Sequence, residues 1–148
     1  MPVENEVILN MRRLNNIINF DENSGVLECE SGCILQNIEE FVNEKGRLIP
    51  YDLGAKGSCF IGGNLATNAG GLRFIKYGPL HGNVLGLEVV LPNGQIVDLM
   101  SNMRKDNTGY HLRHLFIGDR IVDCGWHMAL IWLTLLHFFF AMQALRER

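Results

Sequence analysis

Cysteine is too scarce and too unevenly spaced here for a disulfide framework: Cys29, Cys33, Cys59 and Cys124 are the only four. Cys29 and Cys33 have three residues between them rather than the two of a redox or zinc hook, and no second pair answers them. Buried free thiols in a reducing compartment are the expectation. Net charge is also small, at −3 with a pI near 5.9, which gives no basis for a nucleic-acid or anionic-membrane partner. The first residues, Met1-Pro2-Val3-Glu4-Asn5-Glu6, carry acid where a secretory signal or mitochondrial presequence needs base, so no targeting segment is visible there. Internal repeats and low-complexity linkers are missing too. With 148 residues, the chain has room for one domain with a modest core.

What the chain does have is distributed unevenly. Ten of the sixteen glycines lie between Gly54 and Gly94, while Trp126, Trp132 and Phe138-Phe139-Phe140 all follow residue 124. Residues 1–118 read as a soluble α+β domain and 119–148 as a segment of another kind.

Glu6 to Asn10 has an apolar centre suited to a buried strand. Asn23-Ser24-Gly25 reads as a turn, and Val26-Leu27-Glu28-Cys29-Glu30 alternates as a half-buried strand does. After the break at Ser31-Gly32 the period changes. Ile34, Leu35, Ile38, Phe41 and Val42 share one face of a predicted helix, with Gln36, Glu39, Glu40 and Glu44 opposite. Gly46 ends that helix as a left-handed cap, and Lys45 suits its C-terminus. Leu87–Leu91 and Gln95–Leu99 flank Pro92-Asn93-Gly94 and predict a β-hairpin. Asp106 to Gly109 reads as a loop, and His111 to Phe116 as a short helix.

Glycine at the density found from Pro50 to Gly86 weakens helix and strand alike. It is tolerated where the backbone takes positive φ or where a ligand must touch it. Ser58, Ala66, Thr67 and Ala69 keep the surroundings small, and between Leu53 and Leu87 stand three bases (Lys56, Arg73, Lys76) and no acid. That balance favours a diphosphate. The order Gly-x4-Gly-Lys-Ser/Thr of a P-loop is missing, and so is the Rossmann Gly-x-Gly-x-x-Gly. From these residues alone two readings stay open: a ligand cradle, or a loop-rich segment using glycine for turns.

The run Asp52-Leu53-Gly54-Ala55-Lys56-Gly57-Ser58-Cys59 is followed by Ile61-Gly62-Gly63-Asn64, Ala66-Thr67-Asn68-Ala69-Gly70-Gly71 and Tyr77-Gly78. Together they resemble the FAD-binding (PCMH-type) domain of the vanillyl-alcohol-oxidase-like flavoproteins. Arg104-Lys105-Asp106-Asn107-Thr108-Gly109-Tyr110 and Leu115-Phe116-Ile117-Gly118 make the resemblance greatest to the mitochondrial D-2-hydroxyglutarate dehydrogenases, over Glu6 to Gly118. The resemblance implies an α+β fold, FAD as cofactor and partner, a mitochondrial location, and hydride transfer from C2 of D-2-hydroxyglutarate to flavin N5. Transferred by position, it places Pro50, Gly54, Gly57, Ser58, Ile61, Gly62, Gly63, Ala66, Thr67, Asn68, Gly71, Tyr77, His81 and Gly82 near the cofactor. Glycine N–H groups and the hydroxyls of Ser58 and Thr67 would be the donors. For His81, a hydrogen bond to a neighbouring loop is set beside a flavin-tuning role, and for Arg73 and Lys76, solvated charge beside phosphate contact.

The chain also departs from that family. The resemblance implies a further glycine-rich loop before Glu6, and a Ser-Glu-Gly-Thr-Leu-Gly continuation where this sequence reads Asp119-Arg120-Ile121-Val122-Asp123. It implies as well a substrate domain carrying the base, the metal-binding histidines and the carboxylate clamp. On that basis the chain is expected to be a fragment, inactive by itself, with no catalytic and no metal residue assigned. Cys124 to Leu145 is 22 residues without formal charge, and Met128 to Leu145 is expected to form an apolar helix about 27 Å long, able to reach a membrane. His127 and His137 lack companions at ligand spacing, so no zinc site is expected. Two alternatives accompany this reading. One is a non-catalytic flavin-domain remnant or tail-anchored product of a variant transcript; the other is a related D-lactate or glycolate dehydrogenase. For the tail itself, an alternative is that it packs onto the domain as a substitute element.

Overall fold

The computed structural model describes residues 9–91, 93–118, 139–143 and 145–146, the last two stretches by their backbone alone. Chain order begins with a short 3-10 turn, Met11–Arg13, capped at its start by the Asn10 side-chain Oδ1, which accepts Arg12 N–H at 3.0 Å. Strands β1 (Ile17–Asp21) and β2 (Val26–Glu30) form an antiparallel hairpin. Its turn closes on Asp21, whose carboxylate accepts Asn23 N–H and the Ser24 hydroxyl, while Gly25 takes φ 74°. Positive φ is a conformation an L side chain resists, so the Asn-Ser-Gly turn read from the sequence is the turn that forms. The strand expected over Glu6–Asn10 is not seen at Leu9 and Asn10, which lie outside any strand, and the rest of it falls outside the described residues.

Helix α1 (Leu35–Glu44) follows, and Gly46 ends it with φ 67°. Leu35, Ile38 and Val42 are fully buried, each worth roughly 2 kcal/mol of apolar transfer. One residue departs from the predicted polar face: Glu39 is buried, 8% exposed. A two-residue strand β3 (Arg47–Leu48), short helices α2 (Ile61–Ala66) and α3 (Phe74–Tyr77), and a 3-10 turn over Leu80–Asn83 lead to β4 (Val84–Val90). Strand β4 pairs antiparallel with β5 (Ile96–Leu99) across a turn in which Gly94 has φ 82°. Leu112–Leu115 is a 3-10 turn within the stretch expected to be helical.

The main sheet has the order β1-β2-β6-β4-β5, with β6 (Phe139–Gln143) antiparallel to both β2 and β4. A second small sheet joins β3 to β7 (Leu145–Arg146). This corrects the expected apolar helix over 128–145: the described part of it is strand, and residues 128–138 and 144 lie outside the described residues. The physical reason is pairing. Between β2 and β4 lie two rows of backbone N–H and C=O groups that only a strand can satisfy, and a phenylalanine-rich segment suits that position. Among the described residues no helix is long and apolar enough to cross a membrane.

One buried cluster holds this together. Leu27 and Cys29 of β2 and Leu87 and Val89 of β4 meet the apolar face of α1 and, from α2, Ile61 and Leu65. Val84 joins them, whereas Leu85 packs with Val26 and Met100 elsewhere. The register shift between Val84 and Gly86 accounts for this, because a bulge reverses the alternation of sides along a strand.

Candidate functional site

The glycine-rich segment leaves β3, runs along the start of α1, forms α2 and α3, and returns to β4. Its first part, Asp52 to Cys59, is a turn closed by Lys56 N–H to Leu53 O at 3.1 Å and Cys59 N–H to Ala55 O at 2.9 Å. It is tied to α1 from the other side, where Gln36 N–H donates to Lys56 O at 3.0 Å and Leu35 N–H to Cys59 O at 3.2 Å. An isolated antiparallel bridge, Ile34 to Phe60, continues that seam. Ile61 N–H then donates to Cys33 O and Gly62 N–H to Ser31 O, both within 2.9 Å. The start of α2 is thereby docked on the turn that follows β2.

The glycines divide into two kinds. At Gly71 an added Cβ would fall on the Asp52 backbone, and at Gly62 it would stand 2.8 Å from the Ser31 Cβ. Those two glycines are required by close packing within the chain. Gly54, Gly63 and Gly82 are different. An added Cβ there meets nothing within 4 Å, and none of the three has positive φ. Neither packing nor backbone conformation accounts for their lack of a side chain, so an open backbone edge is left that a ligand can approach.

Among the fourteen residues singled out by position, Gly54, Gly57, Ser58, Gly63, Thr67 and Gly82 are exposed. Ala66, Asn68, Gly71, Tyr77 and His81 are half-buried, and Pro50, Ile61 and Gly62 are buried. Several expected donors are already engaged. Gly62 N–H serves Ser31, Gly82 N–H serves Pro79 O, the Ser58 hydroxyl donates to Ala55 O at 3.4 Å and the Thr67 hydroxyl to Gly63 O at 3.1 Å. Asn68 and His81 are brought together: the Asn68 side-chain oxygen accepts His81 N–H at 3.0 Å and lies 3.2 Å from His81 Nδ1. The His81 ring stands edge-on to His114, 5.5 Å between centroids, and His114 in turn to His111 at 5.8 Å.

Charge is arranged otherwise than the local count of bases suggested. Lys56 Nζ lies 2.8 Å from Glu39 and 3.3 Å from Asp52. Arg73 Nη2 lies 3.4 Å from Glu39 and 3.9 Å from Asp52, and its Nη1 donates to Ile49 O at 2.8 Å. Glu39 first, then Asp52, holds the Lys56 ammonium above its ordinary range. Two of the three bases are therefore neutralised within the chain. The third, Lys76, sits over its neighbour Tyr77, 5.0 Å from the ring centre. Sequence reading set Glu39 on the polar face of α1; it borders the apolar stripe one turn after Leu35 and is buried there, and its partners lie 17 and 34 residues further along.

A cleft of about 360 Å³ borders this region, lined by Arg12, Asn15, Asn37, Gly57, Ser58 and Phe60 among others. That volume is near the small end of ligand pockets and suits part of an extended molecule. A smaller cleft of about 190 Å³ beside Ser101, Asp106 and Tyr110 does not touch the glycine segment. Among the described residues no group of His, Cys, Asp and Glu is placed to hold a metal ion. Cys29, Cys33 and Cys59 are free thiols, the first two buried. Cys29 is pushed well up by its hydrogen bond with Cys33 and by burial, which keeps it protonated and inert.

Comparison with known proteins follows the same segment. A family described as FAD binding domain matches residues 1–100. The mitochondrial D-2-hydroxyglutarate dehydrogenase of Arabidopsis thaliana is 62% identical over 119 residues, covering 80% of this chain and 21% of the relative. A putative mitochondrial D-lactate dehydrogenase of Schizosaccharomyces pombe is 54% identical over 119 residues, 80% of this chain and 23% of that protein. The chain thus spans about a fifth of the length of the curated relatives it matches. Among solved structures, an alkyldihydroxyacetonephosphate synthase aligns over 98% of this chain and 24% of its own with a TM-score of 0.74 at 21% identity, a likeness of fold.

Proposed function

We propose, for a chain that belongs to the FAD binding domain family, that residues 1–118 are the cofactor-holding part of an FAD-dependent oxidoreductase that oxidises D-2-hydroxyglutarate to 2-oxoglutarate. The observation that carries this is the 62% identity over 119 residues with a relative of that name. The relatives' names also support a mitochondrial location. When bound, FAD supplies the two-electron acceptor for the hydride that leaves the hydroxyacid carbon.

The protein's own share is binding and orientation. Three open glycines, Gly54, Gly63 and Gly82, offer backbone to a flat or anionic ligand without a side chain in the way. Asn68 holds His81, the residue before Gly82, by its backbone N–H. The proposed contacts are the fourteen residues from Pro50 to Gly82 named above, with the FAD diphosphate on main-chain groups rather than on Lys56 or Arg73, whose charges are already met.

Two measurements test the reading. The chain is titrated with FAD, following quenching of flavin fluorescence, and weak saturable binding is expected. The 119-residue segment of the 62%-identical relative is then replaced by its counterpart here, and bound flavin and dye reduction with D-2-hydroxyglutarate are measured. A flavin-loaded chimera that turns over D-2-hydroxyglutarate is expected; a chimera that folds without flavin overturns the cofactor assignment.

A further inference from the structure

The turn Asp52–Cys59 has no helix or strand of its own, yet it must hold Gly54, Gly57 and Ser58 in one shape if a cofactor is to meet them. Its hydrogen bonds to α1 come from the helix's first turn, through Leu35 and Gln36. One turn further along α1, Glu39 reaches the same loop by a different chemistry. Its carboxylate, with only 11% of the side chain exposed, takes Lys56 Nζ at 2.8 Å on one oxygen and Arg73 Nη2 at 3.4 Å on the other. Asp52 completes the square, meeting the same two cations at 3.3 and 3.9 Å. The far corner is anchored as well: Arg73 Nη1 donates to Ile49 O, and Leu72 N–H donates to Asp52 O at 3.0 Å.

Two carboxylates and two cations give a network with no net charge, and its most buried member is Glu39. A carboxylate in that position is stable only while paired, and withdrawing one partner leaves charge uncompensated in a poorly solvated place. The network therefore has one strongly preferred arrangement, in which Lys56 is pulled toward α1 and the loop's Gly54, Gly57 and Ser58 remain on the outer side. Surface pairs contribute little singly, whereas a shared, partly buried network is coupled.

From this geometry we infer that Glu39 is a positioning residue of the cofactor-binding turn: through Lys56 and Arg73 it fixes Asp52–Cys59 in the shape that presents Gly54, Gly57 and Ser58, while making no cofactor contact itself. The inference rests on the cofactor reading above and assigns a role to a residue outside the glycine-rich segment.

The test uses the full chain and the variants Glu39→Gln, Lys56→Met and the two combined. FAD affinity is measured by fluorescence titration, and amide hydrogen exchange is followed in the peptide 53–59 and in β2. Each single variant is expected to weaken FAD by about tenfold, with the double variant scarcely weaker than either, since both remove the same coupling. Exchange in 53–59 is expected to quicken with β2 unchanged, whereas a merely structural role would quicken both together. If the wild-type chain binds FAD and Glu39→Gln binds it equally, the positioning role is overturned and the cofactor reading stands. If the wild-type chain binds FAD too weakly to titrate, exchange decides: unchanged exchange in 53–59 sinks the lock, and quickened exchange confined to that peptide upholds it. Should Glu39→Gln not fold, Lys56→Met decides by the same two readouts.

Discussion

Asn68 stands in the left-handed region with φ 46°, and from there its side-chain oxygen accepts the backbone N–H of His81, thirteen residues on, at 3.0 Å. It is the single non-glycine residue with positive φ among the described residues, and asparagine tolerates that conformation better than most. The strain at residue 68 is thus offset by a bond that sets the approach to β4. Replacing Asn68 by Ala removes the bond and keeps the strain, and is expected to destabilise the chain by about 2 kcal/mol. Asn68→Gly relieves the strain while losing the bond, and is expected to cost about half as much. Urea denaturation of the three proteins checks the order; equal loss in both variants would show that the backbone conformation carries no cost.

Packing glycines and ligand-facing glycines are separable by substitution. Gly71→Ala puts a methyl group onto the Asp52 backbone and is expected to destabilise by roughly 2 kcal/mol. Gly63→Ala, in open space within α2, is expected to leave stability equal or up to ~1 kcal/mol higher, while weakening FAD on the order of tenfold. Thermal melting alongside FAD titration reads both. A Gly63→Ala protein that binds FAD as well as the wild type would remove Gly63 from the cofactor site.

The Asp21 turn makes stability depend on pH at its acid end. The Ser24 hydroxyl first, then the Asn23 N–H, holds the Asp21 carboxyl below its ordinary value of 3.8. A folded-state pKa that is lowered gives stability present above the unfolded value and lost as pH falls through the folded one. Asp21→Ala is therefore expected to destabilise at pH 7 and to differ much less from wild type in acid below the lowered folded-state pKa. Denaturant midpoints at the two pH values check this, and a difference that stays constant with pH would contradict it.

Strand β6 is an inner strand, with Ala141 opposite Glu28 on one side and Gly86 on the other. Proline there cannot donate to the ladder and is rarely accommodated away from an edge. Ala141→Pro is expected to cost at least ~2 kcal/mol, and removal of 119–148 to lower soluble yield by leaving β2 and β4 without the strand between them. Melting curves and soluble fractions decide; a yield that rises on truncation would show that the segment is not part of the sheet.

Local rules read the local elements well. The Asn23-Ser24-Gly25 turn, the helix ending at Gly46 and the hairpin around Gly94 all form where adjacent residues specify them. In each case the cause lies within a few positions: a glycine at positive φ, or an apolar period matching one turn of helix. The choice of FAD was legible too, though through the pattern from Asp52 to Gly78 as a resemblance rather than through glycine density, which also fits plain turns.

Other features had no local signature. Strand β1 went unread because Ile17–Asp21, with its exposed Ile18 and Asn19, shows little alternation and is defined mainly by its pairing with β2. The bases at Lys56 and Arg73 suggested a phosphate until the fold brought Glu39 and Asp52 against them. Composition made the segment ending at Leu145 look helical, yet the unpaired edges of β2 and β4 made Phe139–Gln143 a strand. Sequence by itself determined the turns, the helix α1 and the family; tertiary structure alone decided which charges are free and which segment fills the sheet. The reason is physical. Turn and helix preferences come from the φ, ψ and side chains of neighbours, whereas ion pairing and strand pairing are settled by groups far along the chain that only the fold brings within a few ångströms.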